Sequence, residues 1–261
     1  MLKRKNGGKT VVTVHSLSPV QHDTPEVNAL YNTADALIVN TNHLRRKLVS
    51  LGVAEGKIHV IPYSGTVRPD NGCVREGAVL FGGAYLIKVK GFEFIVPALK
   101  RLRDTGIPIR LSVLGNFNPG HKDWGEEIVR EHGVEDLVLW KNFHSEEDLY
   151  QEHERSLFSL IPYTNNAGSF PVTISMATGT PVIATTELGT AEYLHDSGLI
   201  VKSRSVEALE NAMRTLMLDE SLRRKLGLRA RMIAEQEYAW DVVAGKTLKL
   251  YEALLGEPSG H

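Results

Sequence analysis

Asn165-Asn166-Ala167-Gly168-Ser169-Phe170-Pro171-Val172-Thr173-Ile174-Ser175-Met176-Ala177-Thr178-Gly179-Thr180-Pro181-Val182-Ile183-Ala184-Thr185 is the stretch on which the fold turns. It follows an apolar run of strand length, Leu157-Phe158-Ser159-Leu160-Ile161, and reads as loop, helix, turn and second strand. Ser169 is placed to cap the helix, and Pro171 suits its first turn. The free amides that follow Ser169 present partial positive charge to an anion. No acidic residue occurs anywhere in the stretch, so whatever it holds is held without a carboxylate.

Working outward, strand-length apolar runs alternate with segments of helical period, the pattern of a parallel sheet flanked by helices. Val11-Val12-Thr13-Val14-His15, Ala36-Leu37-Ile38-Val39-Asn40 and Ile58-His59-Val60-Ile61-Pro62 form a first group. A helix from about His43 to Leu51, ended by Gly52, joins the last two. A second group contains Ala78-Val79-Leu80-Phe81-Gly82, Ile109 to Leu114, Leu137-Val138-Leu139-Trp140, Leu157 to Ile161 and Pro181-Val182-Ile183-Ala184. This is a complete doubly wound domain. Further on, Ser205 predicts an N-cap for a helix with Leu209, Ala212, Met213, Leu216 and Met217 on one face, and Asp219 caps the next. The turn-rich segment from Ser64 to Gly77 separates the groups, giving units 1–66, 67–240 and a closing helix 241–261.

Composition narrows the classes. The 261 residues are 42% apolar and 23% charged, which is ordinary globular protein. A net charge of −1 gives no global field to recruit nucleic acid or an anionic bilayer. The single cysteine, Cys73, cannot form an internal disulfide, and no apolar run near the N-terminus reads as a leader or membrane span. A cytoplasmic setting is the expectation. Arg45-Arg46-Lys47, with Leu44 and Leu48 at helical spacing, reads as a solvated helix face, with weak contact to an acidic lipid as the alternative. His22-Asp23 and His195-Asp196 lack the further ligands that a metal site needs.

Ligands of doubly wound sheets bind beyond the carboxyl ends of the strands, and four loops there qualify. Gly82-Gly83-Ala84-Tyr85-Leu86-Ile87-Lys88-Val89-Lys90-Gly91 offers a glycine turn at Gly83 and, at Lys90, an ammonium beside a helix N-terminus. Pro97 in that helix predicts a kink or a late start. Gly115-Asn116 ends another strand and could face a base, though any turn uses the same residues. Gly168 and Ser169 open the third loop. In the fourth, Gly189 and Thr190 precede a helix with Glu192 in its first turn, where a dipole role is the plain alternative.

Order and spacing together resemble a known family. The Lys90-Gly91 turn, the Gly115-Asn116 loop, the run Met176-Ala177-Thr178-Gly179-Thr180-Pro181-Val182-Ile183-Ala184, the Gly189-x-x-Glu192 turn and Tyr238-Ala239-Trp240-Asp241 resemble the nucleotide-sugar lobe of a GT-B glycosyltransferase of retaining family 4, the glycosyl transferases group 1. Ala34 to Thr41 and Lys57 to Gly65 resemble the last strands of that family's acceptor lobe. The resemblance implies an α/β, GT-B type fold: a Rossmann-like, doubly wound donor lobe with a partial, shortened first lobe. It implies transfer with retention from a UDP- or GDP-sugar to an unknown acceptor, with no metal or other cofactor. His15 and Lys90 become the catalytic candidates, and Gly83, Lys90, Gly115, Asn116, Asn166, Gly168, Ser169, Gly189, Thr190 and Glu192 the donor-binding ones.

The departures are definite. The family carries two glutamates, the second lying five residues before the glycine of the Gly-x-Pro-Val run; counting back from Gly179 puts Ile174 there and Asn166 at the first. Asn166 can still hydrogen-bond a sugar hydroxyl, but Ile174 cannot hold a ribose diol. An arginine that commonly accompanies the lysine is replaced by Tyr85. A non-catalytic relative, or half of a split enzyme whose first lobe is on a partner chain, is therefore the alternative. A nucleotide-sugar epimerase lacks its expected acidic, histidine-rich site here. The short first lobe leaves apolar surface uncovered and implies self-association or a partner.

Overall fold

A computed structural model describes residues 8–17, 25–69, 72–81, 88–107, 109–117, 119–164, 170–185 and 189–256. Two parallel sheets organise the chain. The first comprises β1 (Val11–Val14), β2 (Ala36–Val39) and β3 (Ile58–Val60) in the order β1-β2-β3. Helix α1 (Pro25–Thr33) precedes β2, and α2 (Asn42–Ser50) lies between β2 and β3. Every residue of β2 is buried because it is the middle strand, covered on both faces. Thr41 caps α2 by accepting the Leu44 amide at 3.2 Å, and Leu44 and Leu48 turn inward, as their spacing requires.

The second sheet has six strands: β4 (Ala78–Phe81), β5 (Leu111–Leu114), β6 (Val138–Lys141), β7 (Phe158–Ile161), β8 (Val182–Thr185) and β9 (Gly198–Val201). Their order is β6-β5-β4-β7-β8-β9, all parallel, so the winding reverses between β4 and β7. Crossovers are made by α3 (Phe92–Asp104), α4 (Pro119–His132), α5 (Glu146–Arg155), α6 (Phe170–Ala177) and α7 (Thr190–Leu194), and α8 (Val206–Leu218), α9 (Glu220–Ile233) and α10 (Trp240–Leu255) follow. Three features differ from the sequence reading. Strand β9 and helix α1 are additional, and α3 starts at Phe92, well ahead of Pro97, with no late start. Ser205 and Asp219 cap α8 and α9 as their spacing predicts, accepting the amides of Ala208 and Leu222.

The linker and the last helix both tie the two sheets together. The linker after β3 runs past α6, where Gly65 takes the Tyr238 carbonyl at 2.9 Å and the Thr173 hydroxyl bonds the Ser64 carbonyl at 3.0 Å. Gly65 is required there, since a Cβ would lie 2.8 Å from the Thr173 carbonyl oxygen. Helix α10 then packs Val243 and Leu250 against Ala36 and Ile38 of β2 and Ile61 just past β3. Trp240, Leu248, Tyr251 and Leu255 of the same helix are exposed. Among the described residues, no helix is long and apolar enough to cross a membrane.

Candidate functional site

The reversal between β4 and β7 is where a doubly wound sheet opens a crevice at its carboxyl edge. Beyond β4 the described chain resumes as a 3-10 turn, Lys88–Lys90, which feeds α3. Gly91 joins them in a left-handed conformation, φ 72°, and a Cβ there would lie 2.2 Å from the Pro162 carbonyl oxygen just past β7. Only glycine satisfies both demands. The Thr164 amide donates to the Val89 carbonyl at 2.9 Å, so the lysine turn is strapped directly to the end of β7.

This strap delivers Lys90 to Tyr163. The ammonium sits 3.2 Å from the phenol oxygen and 4.7 Å from the ring centroid. Tyr163 is itself buried, and its carbonyl accepts the Thr185 hydroxyl at 2.6 Å from the end of β8. One cation, one aromatic face and the N-terminus of α3 thus meet where β4, β7 and β8 end. Sequence reading finds Lys90 but not Tyr163, because nothing local in Pro162-Tyr163-Thr164 distinguishes an aromatic floor from a core residue.

The other sequence candidates divide. Gly83, Asn166, Gly168 and Ser169, with Tyr85, lie outside the described residues. Gly115 extends the β5–β6 ladder by donating to Lys141, at 2.9 Å. The Asn116 amide is turned to Phe143, donating to its carbonyl at 2.7 Å and accepting its N–H at 3.3 Å. These two bonds tie the β5 loop to the segment after β6 while the residue stays exposed. Behind it Phe92, Phe117, Trp124 and Trp140 form a ring cluster with centroids 5.6–6.3 Å apart. Ile174 is fully buried in the core on α6, so the position of the second family glutamate is filled by a packing side chain.

Gly189, Thr190 and Glu192 stand at the lobe junction. Gly189 approaches so closely that a Cβ would come within 2.6 Å of the Thr41 side chain. The Thr190 hydroxyl is buried and, among the described residues, has no hydrogen-bond partner. Glu192 accepts the Asn42 amide at 2.6 Å and the Arg46 guanidinium at 3.1 Å, reaching the start of α2. Arg46 is therefore not simply a solvated residue. Tyr193 continues the bridge, its hydroxyl donating to the Asn40 carbonyl and accepting the Tyr63 amide, both at 3.0 Å. Burial pushes this phenol well above its ordinary range. On the other side of Tyr63, His15 Nδ1 lies 2.9 Å from the Tyr63 hydroxyl with the rings stacked. His15 is thus exposed at the end of β1 but held in orientation.

Comparisons with known proteins agree with this geometry. A profile described as glycosyl transferases group 1 matches residues 71–232, more than half of the chain. The chain belongs to that family. A second profile, glycosyltransferase family 4, matches residues 1–63. Among curated relatives, the MMP alpha-(1->4)-mannosyltransferase of Mycolicibacterium hassiacum is 25% identical over 211 residues, covering 78% of this chain and 50% of that protein. A D-inositol 3-phosphate glycosyltransferase of Corynebacterium aurimucosum is 26% identical over 276 residues, covering 92% and 65%. The chain thus spans between half and two thirds of the length of these relatives. Sucrose-phosphate synthase from Thermosynechococcus elongatus superposes with a TM-score of 0.81 at 23% identity, covering 94% of this chain and 68% of that one. Anabaena HepE in complex with UDP gives 0.79 at 19%, covering 95% and 72%. The fold is that of the GT-B glycosyltransferases.

Proposed function

We propose that this group 1 chain binds a nucleoside-diphosphate sugar at the crevice between β4 and β7 and serves its transfer, with retention, to an acceptor of unknown identity. The observation that carries the reading is the placing of Lys90 over Tyr163, at the N-terminus of α3. The family membership and the likeness to HepE, solved with UDP, support a uridine nucleotide. In such a transfer the sugar–oxygen bond to the diphosphate breaks, and the leaving group takes the electron pair. What lowers the barrier is therefore positive charge fixed where that charge develops. Lys90 supplies an ammonium, and the N-terminus of α3 supplies the positive end of a helix dipole. The Thr190 hydroxyl, without a partner among the described residues, is a further donor for the same phosphates. His15, oriented by Tyr63, would face the reacting sugar from the first lobe. Gly83, Asn166, Gly168 and Ser169 would complete the donor's surroundings.

Calorimetric titration with UDP, GDP and ADP tests this, followed by Lys90→Ala. The expected result is UDP binding that weakens at least tenfold in the variant; UDP affinity equal in both chains would remove Lys90 from the site. A second reading is favoured by Ile174: with a core side chain where the ribose carboxylate belongs, the chain binds a nucleotide sugar without transferring it, or does so only with a partner chain. UDP binding without hydrolysis or transfer from any UDP- or GDP-sugar would select it. The exposed side chains of α10 would then be covered by a second copy or by that partner, which sedimentation reads directly. A cytoplasmic setting, with weak contact to acidic lipid at α2, belongs to the same proposal.

A further inference from the structure

The opposite edge of the second sheet carries a cavity of about 960 Å³. Leu157 immediately precedes β7 and Pro181 immediately precedes β8, so the cavity opens at the amino ends of those strands, away from Lys90. One wall is α9, contributing Glu220, Arg223, Arg224, Gly227, Leu228 and Arg231 at helical spacing. The facing wall contributes Arg75. Four arginines against two carboxylates, Glu220 in the wall and Glu235 beside Arg231, leave a local positive excess in a chain whose net charge is only −1.

Two of these cations are fixed in advance. Arg75 donates to the Thr180 hydroxyl at 2.7 Å and to the carbonyls of Thr178 and Ser156 at 2.8 and 3.2 Å. Arg223 donates to the carbonyls of Leu216 and Met217 at the end of α8. Neither needs a ligand to hold its place. Arg224 and Arg231 are tied through Nε alone, to Glu220 at 3.5 Å and Glu235 at 3.2 Å, which leaves their terminal nitrogens to offer. Gly227 lets α9 come this close: a Cβ there would stand 2.4 Å from the Gly179 carbonyl oxygen.

We propose that this cavity is a second binding site, for a phosphorylated small molecule, separate from the crevice at Lys90. Arg75, bonded to neutral hydroxyl and carbonyl oxygens, contributes its charge from one wall, while the terminal nitrogens of Arg224 and Arg231 offer donors from the other, and such a set suits an anion whose oxygens point in several directions, which a phosphate has and a planar carboxylate lacks. The volume is that of a site for a whole small molecule. Leu157, Pro181 and Leu228 give the remainder of the ligand an apolar surface.

The test uses inorganic pyrophosphate, titrated calorimetrically at about physiological salt so that loose ion-atmosphere effects are screened. The starting chain is Lys90→Ala, which weakens the other anion site. It should bind pyrophosphate saturably at one site. Adding Arg224→Ala and Arg231→Ala should weaken that binding tenfold or more, and Leu228→Glu alone should do the same by putting a carboxylate at the mouth. Circular dichroism should show each variant folded, since Arg224 and Leu228 are exposed and Arg231 is half-buried at the surface of α9. Absence of saturable binding to the Lys90→Ala chain, or affinity unchanged by the arginine pair, overturns the proposal. Failure of the crevice reading would leave these outcomes untouched.

Discussion

Glu192 accepts the backbone N–H of Asn42 at 2.6 Å, joining the fourth loop of the second sheet to the first turn of a helix in the other sheet. The contact is a carboxylate at a helix N-terminus, where the partial positive charge favours it. Its companion Arg46 is largely exposed, so the ion pair adds little and the amide bond carries the effect. Glu192→Ala should therefore cost about 1–2 kcal/mol of stability. Glu192→Gln, which keeps an acceptor, should cost less. Urea unfolding measures both, and an alanine variant as stable as the parent would show that the junction is held by its other contacts, Tyr193 with Asn40 and Tyr63 among them.

The lysine and the tyrosine beneath it can be separated experimentally. Tyr163→Phe removes the oxygen 3.2 Å from Lys90 but keeps the ring. Tyr163→Leu removes both. If the ring face positions the ammonium, UDP affinity should change less than threefold in the first and tenfold or more in the second, since a desolvated cation–π contact is worth about 1–2 kcal/mol. Equal losses in the two variants would assign the positioning to the hydroxyl.

Gly91→Ala should be among the most damaging single substitutions. The alanine would sit at φ 72° with its methyl 2.2 Å from the Pro162 oxygen, so the strap between the lysine turn and β7 must open. A loss of about 2–4 kcal/mol in thermal or urea unfolding is expected, with UDP binding falling alongside it. A variant with parental stability would mean the turn adapts without strain.

The limits of the sequence are visible in particular residues. Strands β2, β5, β7 and β8 are legible because central strands bury both faces and so read as continuous apolar runs. Strand β9 is not, because it is an edge strand: Ile200 is exposed, and Gly198 weakens the apolar signal. Lys90 is legible from Lys90-Gly91, a local pattern. Tyr163, Tyr193 and the engagement of Arg46 are not, since the partners that matter, Lys90, Tyr63, Asn40 and Glu192, are 73 to 153 residues away. The Asn116 amide illustrates a further point: its composition suits a ligand, and only the structure shows it spent on Phe143.

Ile174 makes the resemblance itself testable. Restoring the acid by Ile174→Glu should not restore a ribose contact, because the side chain is fully buried among core residues of α6. A carboxyl there loses water without gaining a partner, and destabilisation of about 3 kcal/mol or more follows. Thermal unfolding should fall by many degrees and UDP affinity should not improve. Tighter UDP binding with unchanged stability would show that α6 can turn this position outward.

His153 gives the chain a pH dependence that runs in one direction. Its Nδ1–H donates to the Leu149 carbonyl at 2.8 Å, and Nε2 is buried without a partner among the described residues. Burial pulls its pKa from the ordinary 6.5 down to about 4. The folded chain therefore holds this ring neutral while the unfolded chain protonates it, so the unfolded state binds more protons between these values and stability falls as pH falls. The contribution is intact above pH 6.5, and its loss approaches about 3 kcal/mol as pH drops to 4 and below. Asp104, Glu147, Asp148 and Asp196 are held below their ordinary values of 3.8 to 4.5 by neighbouring cations and hydrogen bonds, so their share is lost mainly below that range. The interval above about pH 4.5 thus isolates the histidine from these acids. Urea unfolding across it should show stability declining in the parent and a flatter profile in His153→Leu, whatever the variant's absolute stability. A parent profile that is already flat there would mean that the ring gains a proton acceptor or water on protonation.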